Sequence, residues 1–245
     1  MRVAGRLDID LFAEKVQSKN GAETLYIMER MELNSFTSRE EMLRLINESK
    51  KLGKPTLLDV FSGKGGVSDG FVAEGFDVTG IDIVDAPKLL GYKYRFIQAD
   101  IRTLNGKDFR GYDVIWGSPP CREFSQFAKS FGYRWKKPCN TNEGLELVNT
   151  FLRFIEDAEP KIWIMENVPN LSNYLNLKPK VTAKIKPSMK RSFWGNFPSF
   201  MIPIFDDGRI IWHIQGKLRS WERAKIPLSC SRAFAVACRD KLLEA

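Results

Sequence analysis

The chain has 245 residues, 43% of them hydrophobic, and its 38 Lys and Arg against 30 Asp and Glu give a formal net charge of +8. This length can bury the core of one large domain, and no apolar run approaches the ~20 residues that a membrane span needs. Charged residues stand early in the N-terminal stretch, where a secretory signal needs an apolar segment. The composition argues against an integral membrane protein and predicts a soluble, cytoplasmic one.

Cysteine and histidine usage argues against a metal centre. The chain has four cysteines and one histidine, and no two cysteines form a CxxC pair. Zinc sites and disulfide frameworks need such clusters, so reduced thiols and no bound metal are expected.

Positive charge is concentrated toward the C-terminus. Residues 178–245 contain 14 Lys and Arg against 5 Asp and Glu, whereas the rest of the chain is nearly balanced. Aromatic residues lie between these charges. Such a pattern suits a polyanion such as nucleic acid, and it suits equally a solvated basic surface around core aromatics.

The first predicted element is a helix near the end of residues 1–53, a stretch that otherwise shows no clear pattern. Ser38 and Glu41 form a capping box at its start, and Gly53 and Pro55 end it shortly after Lys51. We therefore predict an N-terminal helical extension over residues 1–53.

Residues 54–177 alternate apolar strands with helices. The predicted strands are TLLDVF, FDVTGID, YRFIQAD, YDVIWGS and KIWIMENV, and the clearest helices are VSDGFVAEG and LELVNTFLRFIEDA. This alternation predicts an α/β fold with a doubly wound, mostly parallel sheet, which binds ligands at the carboxyl ends of its strands. We expect a linker or exposed loop over 178–190, within a basic region that extends to 225, and a final helix over 226–245.

The ends of the first three strands predict a pocket for a nucleoside. The cluster DVFSGKGG, residues 59–66, opens a helix after the first strand, where glycines let the backbone approach a ligand. Asp82 ends the second strand, where an acid accepts from ribose hydroxyls, and Asp100 ends the third, where it can accept from an adenine amino group. Without a phosphate-binding motif, S-adenosylmethionine fits this pocket as well as NAD.

The ends of the last two strands carry a cysteine and an acid. Cys121 follows two prolines in GSPPCREFS, where it is either a small buried hydrophobe or a nucleophile on a stiff hinge. Glu166 and Asn167 follow the fifth strand, where they either form a solvated strand end or supply an acid to the neighbouring cysteine loop.

Three motifs carry a resemblance to a known family. DVFSGKGGVSDGF, GSPPCREFS and MENVPNL, in this order within residues 56–172, resemble the DNA cytosine-5 methyltransferases, and the C-terminal segment IPLSCSRAFAVACRD resembles the final helix of compact, phage-like members. The resemblance implies a Rossmann-like S-adenosylmethionine-dependent methyltransferase that acts on double-stranded DNA, in some members within restriction-modification systems.

The resemblance also implies residue roles. Cys121 matches the cysteine that attacks carbon-6 of a flipped-out cytosine, Glu166 matches the glutamate that engages ring nitrogen-3, and Asn167 is expected to orient that glutamate. Arg191 is the remnant of the family's arginine motif. The expected cofactor-binding residues are Asp59, Phe61, Ser62, Gly63, Gly65, Gly66, Asp82, Ile83, Asp100, Ile101, Pro120 and Leu145. Residues 122–142 match the mobile loop that closes over the base.

The chain also departs from the family. Arg122 stands where a glutamine is usual, a second arginine is missing near Arg191, and only about 35 residues separate Arg191 from Ile226. We therefore assign residues 178–225 to a short basic target-recognition region and expect a short target site. Two alternatives stay open: the same reaction on RNA, and a catalytically silent nucleic-acid-binding module.

Overall fold

The computed structural model describes residues 36–125, 140–186, 189–200 and 219–244. Apart from Phe36, these residues belong to one compact unit that comprises Thr37–Ala245. No helix in this described part is long and apolar enough to cross a membrane.

The first helix, α1 (Arg39–Lys51), begins at the predicted N-cap, Ser38. The hydroxyl of Ser38 accepts a hydrogen bond from the backbone N–H of Glu41, which is one of the two bonds of a capping box, whereas the Glu41 carboxylate binds Arg44. Met42 and Ile46 are buried in the main core of the compact unit. The helix therefore belongs to this unit and not to a separate extension over residues 1–53.

A seven-stranded sheet organises the unit, in the order β3-β2-β1-β4-β5-β7-β6. The strands are β1 (Thr56–Val60), β2 (Asp77–Asp82), β3 (Arg95–Gln98), β4 (Val114–Gly117), β5 (Ile162–Asn167), β6 (Val181–Lys186) and β7 (Met189–Asn196). The pairs among β1 to β5 are parallel, whereas β7 is antiparallel to β5 and β6 is antiparallel to β7. The predicted doubly wound, mostly parallel α/β sheet is confirmed.

Helices cover both faces of the sheet. The others in the described part are α2 (Gly66–Ala73), α3 (Ala86–Leu90), α4 (Thr141–Ala158), α5 (Arg219–Ala224) and α6 (Leu228–Leu243). Alternate strand residues enter opposite cores, since Leu58 packs with α1 and α4 whereas Leu57 packs with α2 and α6. Cys230 and Cys238 of α6 are buried in the second core. Strands that are covered on both faces need apolar residues throughout, which explains the nearly continuous apolar runs in the sequence.

The prediction of a linker over residues 178–190 is wrong, because β6 and β7 form an antiparallel pair there. Ala183 and Ile185 face the core, whereas Thr182 and Lys184 face solvent, so the strand has the two-residue period of a half-buried strand. Phe193 and Trp194 of β7 are fully buried in the two opposite cores. Residues 181–196 are therefore part of the central sheet.

Candidate active site at the carboxyl edge of the sheet

Four predicted motifs lie at one edge of the sheet. Because β1, β2, β4 and β5 are parallel neighbours, their carboxyl ends share that edge. The glycine turn follows β1, Asp82 ends β2, the Cys121 loop follows β4, and Glu166 and Asn167 end β5. The strand order also reverses between β1 and β4, the position at which open α/β sheets bind ligands.

The cysteine loop is anchored at both ends. The backbone N–H of Ser118 donates to the carbonyl of Val60 at 3.2 Å. The side-chain amide of Asn167, which is fully buried, donates to the carbonyl of Pro119 at 3.0 Å. We expected Asn167 to orient Glu166, but these contacts show that it holds the prolines before Cys121.

Cys121 itself is half-buried and opens a short 3₁₀ turn, Arg122–Phe124. The ring of Phe124 is fully buried, and the side-chain amide of Asn170 donates to its carbonyl at 2.8 Å. Both contacts hold the turn against the body of the protein. Cys121 therefore has a fixed position and is not fully buried, as a reactive cysteine requires.

A buried ion pair lies beside this cysteine. Nε of Arg191, on β7, lies 2.6 Å from Oε1 of Glu166. Burial raises the pKa of Glu166, while Arg191 and a hydrogen bond to Ser118 act in the opposite direction. The indole N–H of Trp116 donates to the Ser118 hydroxyl at 3.0 Å, which fixes this third residue. The antiparallel β5–β7 register thus brings Arg191 into the site.

The ion pair also acts on the thiol. Burial raises the pKa of Cys121, the positive charge of Arg191 lowers it, and the negative charge of Glu166 raises it. The three side chains are therefore electrostatically coupled. In the resting site the thiol is favoured over the thiolate, and Arg191 is the residue that opposes this preference.

The glycine turn after β1 has an unusual backbone. Phe61, Gly63 and Gly65 have φ angles of 62°, 50° and 75°, and Gly65 caps α2. The left-handed region is costly for a residue with a Cβ, so Phe61 must be held there by its surroundings. Its ring packs against Phe151 of α4, with ring centroids 6.4 Å apart.

Asp82 links this turn to the end of β2. Its carboxylate accepts from the backbone N–H groups of Gly63 at 2.9 Å and of Val84 at 3.1 Å. Burial raises the pKa of Asp82, and these backbone bonds oppose the shift. The next residue, Ile83, is 45% exposed although it is a large hydrophobe. This edge of the sheet thus places a hydrogen-bond acceptor, the Asp82 carboxylate, next to the exposed apolar side chain of Ile83.

Asp59 is a fully buried acid beneath the turn. Its carboxylate accepts from the hydroxyl of Ser68 at 2.6 Å, and that hydroxyl lies 2.9 Å from the phenol oxygen of Tyr92. Burial raises the pKa of Asp59 to about 7, and the bonds from Ser68 oppose this shift. Close by, the hydroxyl of Ser62 is buried and has no partner among the described residues.

The remaining predicted cofactor residues have other contacts. Burial raises the pKa of Asp100, but hydrogen bonds from Arg102 outweigh it and the pKa is lowered, with an ion pair at 2.5 Å. Ile101 is buried in the core, Leu145 packs on that core from α4, and Pro120 is exposed beside Cys121.

Three residues that contact the glycine turn or the helix after it had no signal in the sequence. Trp221 of α5 packs against the glycine turn, where a Cβ on Gly63 would meet its ring at 3.3 Å. Glu222 forms an ion pair with Lys64 in that turn. Lys225 lies 2.7 Å from Asp69 in the first turn of α2. A segment far along the chain thus closes over the turn, and no local pattern predicts such a contact.

Two predictions lie partly or wholly outside this description. Residues 126–139 of the expected mobile loop and residues 201–218 of the expected target-recognition region are not among the described residues. In the part that the structure does describe, no cluster of His, Cys, Asp and Glu is arranged to hold a metal ion.

Comparisons with known proteins identify the family to which the chain belongs. The family model for C-5 cytosine-specific DNA methylase matches residues 56–192, more than half of the chain. The Type II methylase M.HgiDII of Herpetosiphon aurantiacus is 32% identical over 133 residues, which cover 48% of this chain and 34% of that protein. The Type II methyltransferase M1.ScrFI of Lactococcus lactis subsp. cremoris is 28% identical over 168 residues, 64% of this chain and 41% of that protein.

The chain therefore spans well under half the length of these relatives. Among solved structures, the Entamoeba histolytica methyltransferase EhMeth matches 60% of this chain and 54% of its own. That match has a TM-score of 0.42 and 16% sequence identity.

Proposed function

Because the chain belongs to the family of C-5 cytosine-specific DNA methylases, we propose that it transfers a methyl group from S-adenosylmethionine to carbon-5 of cytosine in double-stranded DNA. One observation carries the proposal: the half-buried Cys121 lies beside a buried Glu166–Arg191 ion pair that shifts its pKa. A purely structural cysteine needs neither charge. Relatives named type II methyltransferases support a restriction-modification setting for this activity.

The residues after β1 and β2 fit the methyl donor. Ser62 offers a buried hydroxyl with no partner among the described residues, and Asp82 keeps acceptor capacity for ribose hydroxyls beyond its two backbone bonds. Ile83 offers an exposed apolar surface to the adenine ring. When bound, S-adenosylmethionine supplies an electrophilic methyl group on a sulfonium. Asp100 is less available to contact S-adenosylmethionine, because its carboxylate already pairs with Arg102.

Cys121 performs the covalent step. Its thiolate adds to carbon-6 of cytosine, and the displaced π electrons move toward ring nitrogen-3, so carbon-5 becomes nucleophilic and accepts the methyl group. Loss of the carbon-5 proton and departure of the thiolate then restore the double bond. Carbon-6 is inaccessible in a stacked duplex, so the cytosine must leave the helix to reach a thiol held at the sheet edge.

Glu166 stabilises the electrons that arrive at nitrogen-3. Its raised pKa makes it an acid that can donate to the ring nitrogen as negative charge develops there. Arg191 has two effects, since it favours the Cys121 thiolate and also keeps Glu166 in place. Asn167 is a positioning residue, because it contacts the cysteine loop through Pro119.

We assign target recognition to residues after β7. The β6–β7 pair belongs to the central sheet, so of the expected region 178–225 about residues 197–218 are left for reading bases. With roughly one bidentate side chain per base, such a segment reads about two to four base pairs. A methylation pattern confined to a site of six or more base pairs would contradict this assignment.

The test is a methylation assay with product identification. Purified protein is incubated with isotope-labelled donor and duplex DNA of mixed sequence, and the DNA is digested to nucleosides for mass spectrometry. Label in 5-methyldeoxycytidine supports the proposal. Label in methylated adenine, label only in a parallel RNA sample, or no label despite a folded protein would overturn it.

A further inference from the structure

Two exposed lysines stand opposite each other on the β6–β7 pair. Lys184 of β6 is the direct ladder partner of Lys190 of β7, and both are exposed. Directly opposite residues share one face of the sheet, with Cβ atoms about 5 Å apart. We call these two residues the lysine pair.

The lysine pair has no compensating charge in the described part of the molecule. No described carboxylate lies within ion-pair distance of either side chain, and like charges directly opposite each other destabilise a sheet. Two neighbouring lysines differ from the pair, because Lys180 donates to the carbonyl of Phe197 and Lys186 to that of Lys225. Only the lysine pair presents two adjacent uncompensated ammonium groups on this strand pair.

The strand register places the lysine pair beside the catalytic loop. Thr182, Ser192 and Asn167 form one row across β6, β7 and β5, and the hydroxyls of the first two are 2.6 Å apart. Asn167 donates from this row to Pro119 in the Cys121 loop. The lysine pair occupies the next row on the same face, about 7 Å further along the strands. The row lies beyond the end of β5, at the edge that carries Cys121.

We propose that the lysine pair is a phosphate clamp that holds the DNA strand next to the flipped cytosine. This inference rests on the proposed function, since it takes DNA as the substrate. Two ammonium groups on side chains whose Cβ atoms are about 5 Å apart can share one phosphate or bind two successive ones, and neutralisation by phosphate removes their mutual repulsion. Arg191, on the opposite face of β7, stays with Glu166, so the two faces of one strand have separate roles.

Protection of a sheet edge explains only part of this arrangement. Lysine on an edge strand blocks pairing with other chains, and β6 is such a strand. Lys190 lies where β7 extends beyond the end of β5, so this part of β7 is also an open edge. Edge protection accounts for a charge on an open edge, but it gives no reason for two like charges placed directly opposite each other, because that arrangement destabilises the strand pair.

The experiment measures DNA affinity against salt concentration for the full chain by fluorescence anisotropy. The Lys184→Gln/Lys190→Gln variant should bind all duplex sequences more weakly and lower the slope of log K against log salt by about 1 if the two lysines share one phosphate and by about 2 if they bind two, since each phosphate contact contributes about 0.9. Lys184→Arg/Lys190→Arg should keep the wild-type slope. The matched control Lys51→Gln/Lys54→Gln removes the same charge from exposed residues at the opposite edge of the sheet and should also keep it.

A wild-type slope for the Lys184→Gln/Lys190→Gln variant would overturn the clamp. If that variant also self-associates, protection of the sheet edge would be the role of the two lysines. An equal loss of slope in Lys51→Gln/Lys54→Gln would also overturn it, because net charge would then explain the effect. The methylation assay on the wild type is read separately. If the wild type methylates no cytosine, the proposed function fails, whereas a loss of slope specific to the lysine pair would still support the clamp.

Discussion

The two halves of the sheet edge use different chemistry. Around β4, β5 and β7, side chains from three strands meet, and a cysteine lies beside a buried ion pair. Around β1 and β2, the main contacts join a carboxylate to backbone N–H groups of a turn with left-handed residues. In the first half, substitutions that change a charge or the nucleophile should alter catalysis. In the second half, substitutions that change the shape or hydration of the turn should alter stability and binding of the methyl donor.

The largest effect is expected from Cys121→Ala in the first half. The variant should lose methyl transfer completely, because alanine cannot form the bond to carbon-6 and the other two described cysteines, Cys230 and Cys238, are buried in the core. Donor affinity by calorimetry should stay near wild type, since the residues after β1 and β2 are unchanged. Methylation at a wild-type rate by Cys121→Ala would remove the covalent step from the mechanism.

Glu166→Gln should lower turnover by about 10²–10⁴-fold, the usual contribution of a positioned acid, while DNA affinity changes little. The same variant should let iodoacetamide alkylate Cys121 faster at neutral pH, because a negative charge that raises the thiol pKa is gone. Arg191→Ala should slow alkylation, since it removes the charge that lowers that pKa. If both variants shift alkylation in the same direction, the three residues are not coupled as described.

A substitution of Asp59 tests the second half of the sheet edge, because it should change how the unfolding free energy depends on pH. Because burial raises its pKa to about 7 from an ordinary 3.8, the protonated form is favoured in the folded state, and its contribution to stability is lost as pH rises from about 4 through 7. The loss is on the order of 4 kcal/mol at 1.4 kcal/mol per pKa unit. Asp59→Asn, a neutral isostere, should match the wild type near pH 4 and exceed its unfolding free energy at pH 8.

Urea denaturation of both proteins across this pH range measures the difference. Other groups affect both proteins equally, among them Glu74, whose pKa is lowered by hydrogen bonds from Arg232 and Arg239. A constant difference between Asp59→Asn and the wild type from pH 4 to 8 would show that Asp59 is ionised in the folded protein throughout.

The smallest effect is expected on the affinity for the methyl donor, S-adenosylmethionine. Asp82→Ala should weaken S-adenosylmethionine binding by about 1–3 kcal/mol, because it removes an acceptor and leaves the N–H of Gly63 unpaired. Asp100→Ala should have a smaller effect, since its carboxylate is already bound to Arg102. Calorimetry with both variants checks the ranking. A larger loss in Asp100→Ala would place the donor nearer β3 than the structure indicates.

Local patterns were sufficient to predict much of the fold. The five parallel strands, α1, α2 and α4 follow from apolar runs, glycine turns and a capping box, all of which act within a few residues, whereas α6 was expected from the family resemblance. The β6–β7 pair was missed because Lys184 and Lys186 alternate with the apolar residues of β6, so that Val181, Ala183 and Ile185 carry the strand signal. Lysine-rich stretches resemble loops unless their alternation is counted.

The sequence predicted which residues form the site better than it predicted the contacts between them. Cys121 and Glu166 follow from their positions at strand ends, and the family resemblance adds Arg191. The contact of Arg191 with Glu166 depends on the β5–β7 register, and the contact of Asn167 with Pro119 depends on packing between two loops. Trp221 reaches the glycine turn only through the tertiary fold. Such contacts between distant segments have no local signature.

Covalent trapping tests the central claim most directly. A duplex in which 5-fluorocytosine replaces cytosine should react with Cys121 and accept the methyl group, but fluorine cannot leave as a proton does, so the thioether to carbon-6 persists. Protease digestion and mass spectrometry should then identify a peptide with Cys121 joined to a methylated nucleotide, and Cys121→Ala should give none. A protein that methylates unsubstituted cytosine yet forms no adduct at Cys121 with this duplex would contradict the mechanism.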